Sequence, residues 1–310
     1  TLMVDGGLII KNYKKGDLGI QLKDEEDNPI QRIKKKTKCA EDIPSPIMLD
    51  LDGDGVGTAE LEGGAYFDHA ADGFAEMTAW VGSGDGLLVR DINGNGSIDS
   101  GRELFGSETQ LVNGSKAANG FEALRELDTN SDGVIDANDA AFAELRVWKD
   151  SDGNGRTDTG ELFTFEDVGV RSINVAFSES SLVDEQGNEH RQVGSYTTTD
   201  GQTRAATDVW VQTNTLYRVP TESVAVPTDV GALPDVQGYG QVRDLRQAMA
   251  MDATGELKAM VTAFTQAATP EDRDALVTQI IYRWVDITTG MAGPGGFAMA
   301  PLMDSLRPQQ

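Results

Sequence analysis

Two twelve-residue stretches, DTNSDGVIDAND and DSDGNGRTDTGE, begin at Asp128 and Asp150, and each has an oxygen-bearing side chain at positions 1, 3, 5, 9 and 12 with Gly at position 6. No other feature constrains the fold as strongly, because such a run must wrap its own carboxylates around a common point. Six to eight oxygen ligands are what calcium takes. The EF-hand loop supplies them from these positions plus the carbonyl at position 7, with the glycine making the sharp turn. The first frame holds Asp128, Asn130, Asp132, the Val134 carbonyl, Asp136 and Asp139, with Gly133 at the turn. The second holds Asp150, Asp152, Asn154, the Arg156 carbonyl, Asp158 and Glu161, with Gly155 at the turn. The plainer alternative, an acidic Gly/Asn-rich surface loop, does not account for two such frames in tandem.

Three further Asp/Gly loops precede the pair. DINGNGSIDSGRE offers Asp91, Asn93, Asn95, the Ser97 carbonyl and Asp99, but its closing acid, Glu103, falls at position 13. A bulged loop would accommodate the extra residue. DLDGDG offers Asp50, Asp52 and Asp54, yet Leu61 stands where the closing carboxylate belongs, flanked by Glu60 and Glu62. DHAADG offers Asp68 and Asp72 with Ala70 at position 3, so a cation site and a plain turn between strands both remain open there.

Charge supports the same chemistry. The net charge is −25, and from Asp50 to Glu161 there are 24 Asp/Glu against 7 Lys/Arg. That field argues against nucleic acid or an anionic membrane as partner, and its natural counter-charge is a set of divalent cations. Hydrophobic content of 39% over 310 residues supports packed cores in two or three domains. Cys39 is alone, which excludes a disulfide framework and a cysteine metal site. His69 and His190 have no evident triad or zinc partners and read as structural. A calcium-dependent chain without disulfides suits an extracellular bacterial product. No signal peptide or transmembrane run is evident, and a chain that starts at Thr1 without Met reads as a fragment.

Along the chain, residues 1–24 read as short strands and 25–45 as a basic linker carrying Arg32, Lys34, Lys35, Lys36 and Lys38. The calcium module is expected over 46–214, a Pro-containing connector over 215–238, a helical subdomain over 239–290 and a flexible tail over 291–310. Phe121, Leu124 and Leu127 predict a helix before the first tandem loop, and Phe142, Leu145 and Trp148 predict one between the loops. With loop starts 22 residues apart, one helix would serve both. Strands are expected around Ile173, Val175 and Phe177 and on either side of Asp200-Gly201, a hairpin signal. Thr269-Pro270-Glu271-Asp272 caps a C-terminal helix. The expected fold class is therefore α+β, with an EF-hand-like helix–loop–helix pair, β-hairpins and a C-terminal helical subdomain.

In this order, PIMLDLDGDG, FDHAADG, GLLVRDINGNGSIDSGRELFG, the tandem-loop segment and GSYTTTDG resemble the self-processing module of iron-regulated repeat-in-toxin (RTX) proteins of the FrpC type. The likeness runs from about Pro46 to Thr215. LIIKNYKKGDLGIQL resembles the close of an RTX β-roll. The resemblance implies type I secretion, folding on calcium, self-cleavage of an Asp-Pro bond at the module's N-terminal edge, and ligation of the freed aspartyl group to a lysine on another protein. An Asp carboxylate closes a favourable five-membered ring on its own carbonyl. Here the matching bond is Ser45-Pro46, and the chain contains no Asp-Pro. A serine hydroxyl would have to close a strained four-membered ring instead. Cleavage is therefore not expected to carry over. Two readings stay open: a calcium-binding structural module, possible partner to another domain or a surface protein, and a self-processing module disarmed at position 45.

Overall fold

The computed structural model describes residues 44–289, and these fall within one compact unit that begins at Pro44. The expected β-roll end at 1–24, nearly all of the basic linker and the tail from 291 lie outside the described residues.

In chain order the strands are β1 (Ile47–Leu49), β2 (Thr58–Ala59), β3 (Ala65–Phe67), β4 (Phe74–Thr78), β5 (Trp80–Val81), β6 (Gly86–Arg90), β7 (Val134–Ile135), β8 (Leu145–Trp148), β9 (Leu162–Phe163), β10 (Val170–Asn174), β11 (Ser178–Val183), β12 (Glu189–Thr198), β13 (Thr203–Trp210) and β14 (Thr213–Pro220). The helices are α1 (Gly120–Arg125), α2 (Thr228–Gly231), α3 (Leu245–Met251), α4 (Glu256–Gln266) and α5 (Pro270–Thr289). Nine strands form one curled antiparallel sheet in the order β7-β10-β12-β13-β1-β6-β8-β9, with β11 added on β12. Smaller sheets pair β14-β4-β3 and β2-β5.

Period-two alternation explains why the central strands are apolar throughout. Ile47, Leu49, Leu88, Leu145, Val147 and Ala206 face one core with Phe121 and Leu124 of α1. Their neighbours Met48, Leu87, Val89, Trp148 and Val209 face a second core built around Phe67 and Trp80. The tandem loops therefore hang from opposite faces: Ile135 of the first belongs to the α1 core, while Trp148, leading into the second, belongs to the other. A third core joins α2–α5 through Val230, Leu245, Met249, Leu257, Val261 and Trp284.

The structure corrects the α+β expectation. The described residues are mostly β, and no EF-hand helix–loop–helix pair forms. Only the six-residue α1 precedes the first loop, and the helix expected over Phe142, Leu145 and Trp148 is a 3-10 turn at Phe142–Glu144 followed by β8. Four residues are too few for periodicity to separate a buried strand from a helical turn. Long-range pairing with β6 decided it, with Leu87 opposite Trp148 and Arg90 opposite Leu145. The connector expected from 215 begins inside β14, which pairs with β4.

Candidate functional site

The acidic loops share one local construction. In the loop from Asp128, the first carboxylate accepts N–H bonds from Asp132 at 3.2 Å and Gly133 at 2.9 Å. The closing Asp139 accepts from Thr129 at 2.8 Å and Asp136 at 3.0 Å, at positions 2 and 9. The loop from Asp150 repeats this: Asp150 accepts from Gly153, Asn154 and Gly155, and Glu161 accepts from Ser151 at 2.9 Å and Asp158 at 3.0 Å. Position 6 lies in the left-handed region in both, with φ of 85° at Gly133 and 74° at Gly155. Asn130 and Asp132 of the first loop bond one another at 3.0 Å, and Asn154 of the second bridges Asp152 and Asp158. The carbonyl-bearing positions Val134 and Arg156 donate their own N–H groups to Asp132 and Asn154.

The Asp91 loop follows the same plan despite its extra residue. Asp91 accepts from Gly94, Asn95 and Gly96, and Glu103 accepts from Ile92 at 3.0 Å and Asp99 at 2.7 Å. Asn93 and Asn95 both donate to Asp99, and Ser97 donates its N–H to Asn95. Glu103 at position 13 therefore takes the place that position 12 takes elsewhere. This loop, and not the tandem neighbour, meets the Asp150 loop: the Ile98 N–H donates to Thr157 Oγ1 at 2.9 Å, position 8 to position 8.

The Asp50 loop contains the residue that sequence reasoning missed. Its closing carboxylate is neither Glu60 nor Glu62 but Asp85, which accepts the Leu51 N–H at 3.2 Å and the Gly57 N–H at 2.7 Å. Asp50, Asp52 and Asp85 bring three carboxylate oxygens within 4.8 Å of one another, as do Asp150, Asp152 and Glu161. Asp54 donates its N–H to Asp52, and the hydrogen bond and negative charge that the Asp52 carboxylate presents to the Asp54 side chain raise the Asp54 carboxyl's affinity for a proton. Burial pushes the Asp85 carboxyl up to about 6. The only local signal was the turn Gly84-Asp85-Gly86: a Cβ on Gly84 would sit 2.4 Å from Asp52 Oδ2.

The Asp68 loop is different. Asp68 accepts from Asp72 and Gly73, but the Asp72 carboxylate is taken by Arg218 at 2.9 Å and Gln241 at 2.7 Å. A guanidinium from β14 thus stands where a cation would be expected. Asp72 is not brought into a carboxylate cluster, and burial raises Asp68.

Ser45 and Pro46 are enclosed between two elements. The Val211 and Val209 N–H groups donate to the Pro44 and Pro46 carbonyls at 3.1 Å each, and the Ile47 N–H donates to Phe105 at 2.8 Å. Ser45 is 2% exposed, and its Oγ accepts the Ser107 N–H at 3.0 Å. Gly106 lies so close that a Cβ there would be 2.1 Å from the Ser45 carbonyl oxygen.

This architecture spans the residues matched by a known family model, the SPM domain, over 47–212. The chain belongs to that family. It is also 42% identical over 246 residues to the iron-regulated protein FrpA of Neisseria meningitidis serogroup C. That alignment takes in 79% of this chain and 22% of FrpA, so the chain spans about a fifth of its relative's length. The kinship with FrpC-type iron-regulated proteins expected from the motifs thus holds at the level of an FrpC/FrpA-type family. Among the described residues, no helix is long and apolar enough to cross a membrane.

Proposed function

We propose that this chain is a calcium-binding, calcium-folded module of a secreted RTX-type protein that, with Ser45 before Pro46, does not cut itself. The observation that carries the reading is the recurrence of one oxygen-only cradle in four loops, each closed by a carboxylate that ties two backbone N–H groups. Such donors suit a hard cation and offer nothing to a soft one. Asp128, Asn130, Asp132, Asp136 and Asp139 would hold one ion. Asp150, Asp152, Asn154, Asp158 and Glu161 would hold a second, Asp91, Asn93, Asn95, Asp99 and Glu103 a third, and Asp50, Asp52 and Asp85 a fourth. Buried carboxylates at Asp50, Asp85, Glu103, Asp139, Asp150 and Glu161 need a counter-charge. Cation binding then becomes folding free energy. Millimolar calcium outside the cell would supply it, which fits an extracellular location.

Calorimetry with near-UV circular dichroism tests this. At least three ions per chain are expected, with tertiary signal lost on chelation. Fewer than two ions, or an unchanged spectrum and melting temperature, would refute it.

A second reading, a self-processing module disarmed at position 45, is favoured by the enclosure of the 45–46 peptide. A structural strand end has no need for Gly106 stacked against that carbonyl. In this reading a parent protein with Asp at position 45 would be cut here on calcium binding and joined to a lysine amine of a partner.

A further inference from the structure

The elements around the Ser45–Pro46 peptide also bring a buried acid to it. Asp208 of β13 is fully buried, and β1 runs antiparallel beside it with Ile47 opposite Asp208. One carboxylate oxygen, Oδ2, accepts the Gly120 N–H of α1 at 2.5 Å. The other, Oδ1, is buried and takes no hydrogen bond. An acid with an unused oxygen in an apolar sheet is costly unless it serves something. A cavity of about 10 Å³ beside the peptide, on the order of a single water's space, is lined by Ser45, Pro46, Gly106, Ser107, Glu108 and His69. The His69 Nδ1 is likewise buried without a partner.

We infer that Asp208 is the proton donor of a peptide-cleavage centre at the 45–46 bond, left idle in this chain because Ser45 has no carboxylate. The inference rests on the second reading above. Proline's nitrogen carries no hydrogen, so it can leave as an amine only if a proton is delivered to it. With Ser45→Asp, an oxygen of the introduced carboxylate bonds to its own carbonyl carbon and closes a five-membered anhydride. The C–N bond to Pro46 breaks, its electron pair goes to nitrogen, and the Asp208 proton is transferred there. Water then opens the anhydride. Burial pushes the Asp208 carboxyl up to about 8, so it holds its proton at neutral pH. The Gly120 N–H, the Ser45 hydroxyl and the Arg191 charge act against that rise, and the Glu179 charge acts with it.

The test follows Ser45→Asp in calcium by intact mass and gel mobility over a range of pH, alone and with Asp208→Asn or Asp208→Glu. Melting temperature in calcium reports folding. Cleavage between positions 45 and 46 is expected, falling as pH rises through about 8. Asp208→Asn should slow it by about 100-fold, as loss of a general acid does, and Asp208→Glu should keep part of the rate. A purely structural Asp208 would leave the pH profile flat. Equal cleavage by the Asp208→Asn chain, or a rate independent of pH from about 6 to 9, overturns the donor role and leaves the self-processing reading standing. A Ser45→Asp chain that folds with calcium and stays intact overturns both.

Discussion

The loops at 128–139 and 150–161 share a sequence frame and a hydrogen-bond plan but differ in what lies behind them. The first is attached at the edge of the nine-stranded sheet, where β7 pairs with β10. Its closing Asp139 is held below the usual carboxylate range by the Asp136 and Thr129 N–H groups. The second is built into the tryptophan core. Trp80 Nε1 donates to Asp150 at 2.8 Å and Trp148 Nε1 to Glu161 at 3.4 Å, while burial raises the Asp150 carboxyl. Both loops anchor a strand in a core, but the carboxylates of the first bond to the loop's own backbone, whereas those of the second also accept from buried tryptophans. Loops of one frame are therefore expected to carry different weights in stability.

The largest expected contrast is between Asp150→Ala and Asp128→Ala, compared by urea unfolding in calcium. Both lose an ion, worth about 2.7 kcal/mol at one hundred times the dissociation constant. Only Asp150→Ala also strands the buried Trp80 N–H, for about 1–3 kcal/mol more. Equal losses would break the distinction.

Glycine substitutions sharpen it. A Cβ on Gly133 meets nothing within 4 Å, so Gly133→Ala should cost only the left-handed backbone strain, about 1–2 kcal/mol. A Cβ on Gly155 would lie 2.6 Å from the Tyr66 carbonyl oxygen, so Gly155→Ala should cost distinctly more by the same measurement.

Asp85→Asn extends the comparison to a loop closed from elsewhere in the chain. It should remove one ion from the calorimetric count and leave the Asp128 and Asp150 sites at their original affinity. Loss of affinity at the Asp150 site instead would mean that the loops communicate through the shared core.

The smallest effect is the pH dependence of melting at calcium concentrations just sufficient to hold the fold. Asp150, raised above its ordinary 3.8, favours the protonated fold, so its contribution falls as pH rises from there through its folded value. Asp139, depressed, stabilises above 3.8 and loses that contribution as pH falls through its folded value. Asp150→Asn should flatten the first limb and Asp139→Asn should remove the second.

Much of this was legible from local rules. The spacing of Asp, Asn and Gly located three loops whose carboxylates do turn onto their own backbone, because the bonds to the opening Asp span three to five residues and those to the closing acid stay within the loop, at most eleven residues apart. Asp200-Gly201 marked the turn joining β12 to β13, with Thr197 opposite Thr203. Thr269 caps α5 by accepting the Asp272 N–H, as its TPED signature indicated. Short apolar runs were not legible. Leu145–Trp148 fits one turn of helix as well as one strand, and only β6 and β9 on either side make it a strand.

Sequence alone thus determined the chemistry of the loops, since side-chain oxygens at fixed spacing reach backbone donors a few residues away whatever surrounds them. Tertiary structure decided everything that depends on distant partners. It brought Asp85 across 34 residues to close the Asp50 loop, spent Asp72 on Arg218, matched the Asp150 loop with Asp91 and not Asp128, and set Asp208 beside Ser45. Those pairings are selected by burial of two apolar faces on one sheet, a property of the whole chain that no window of sequence contains.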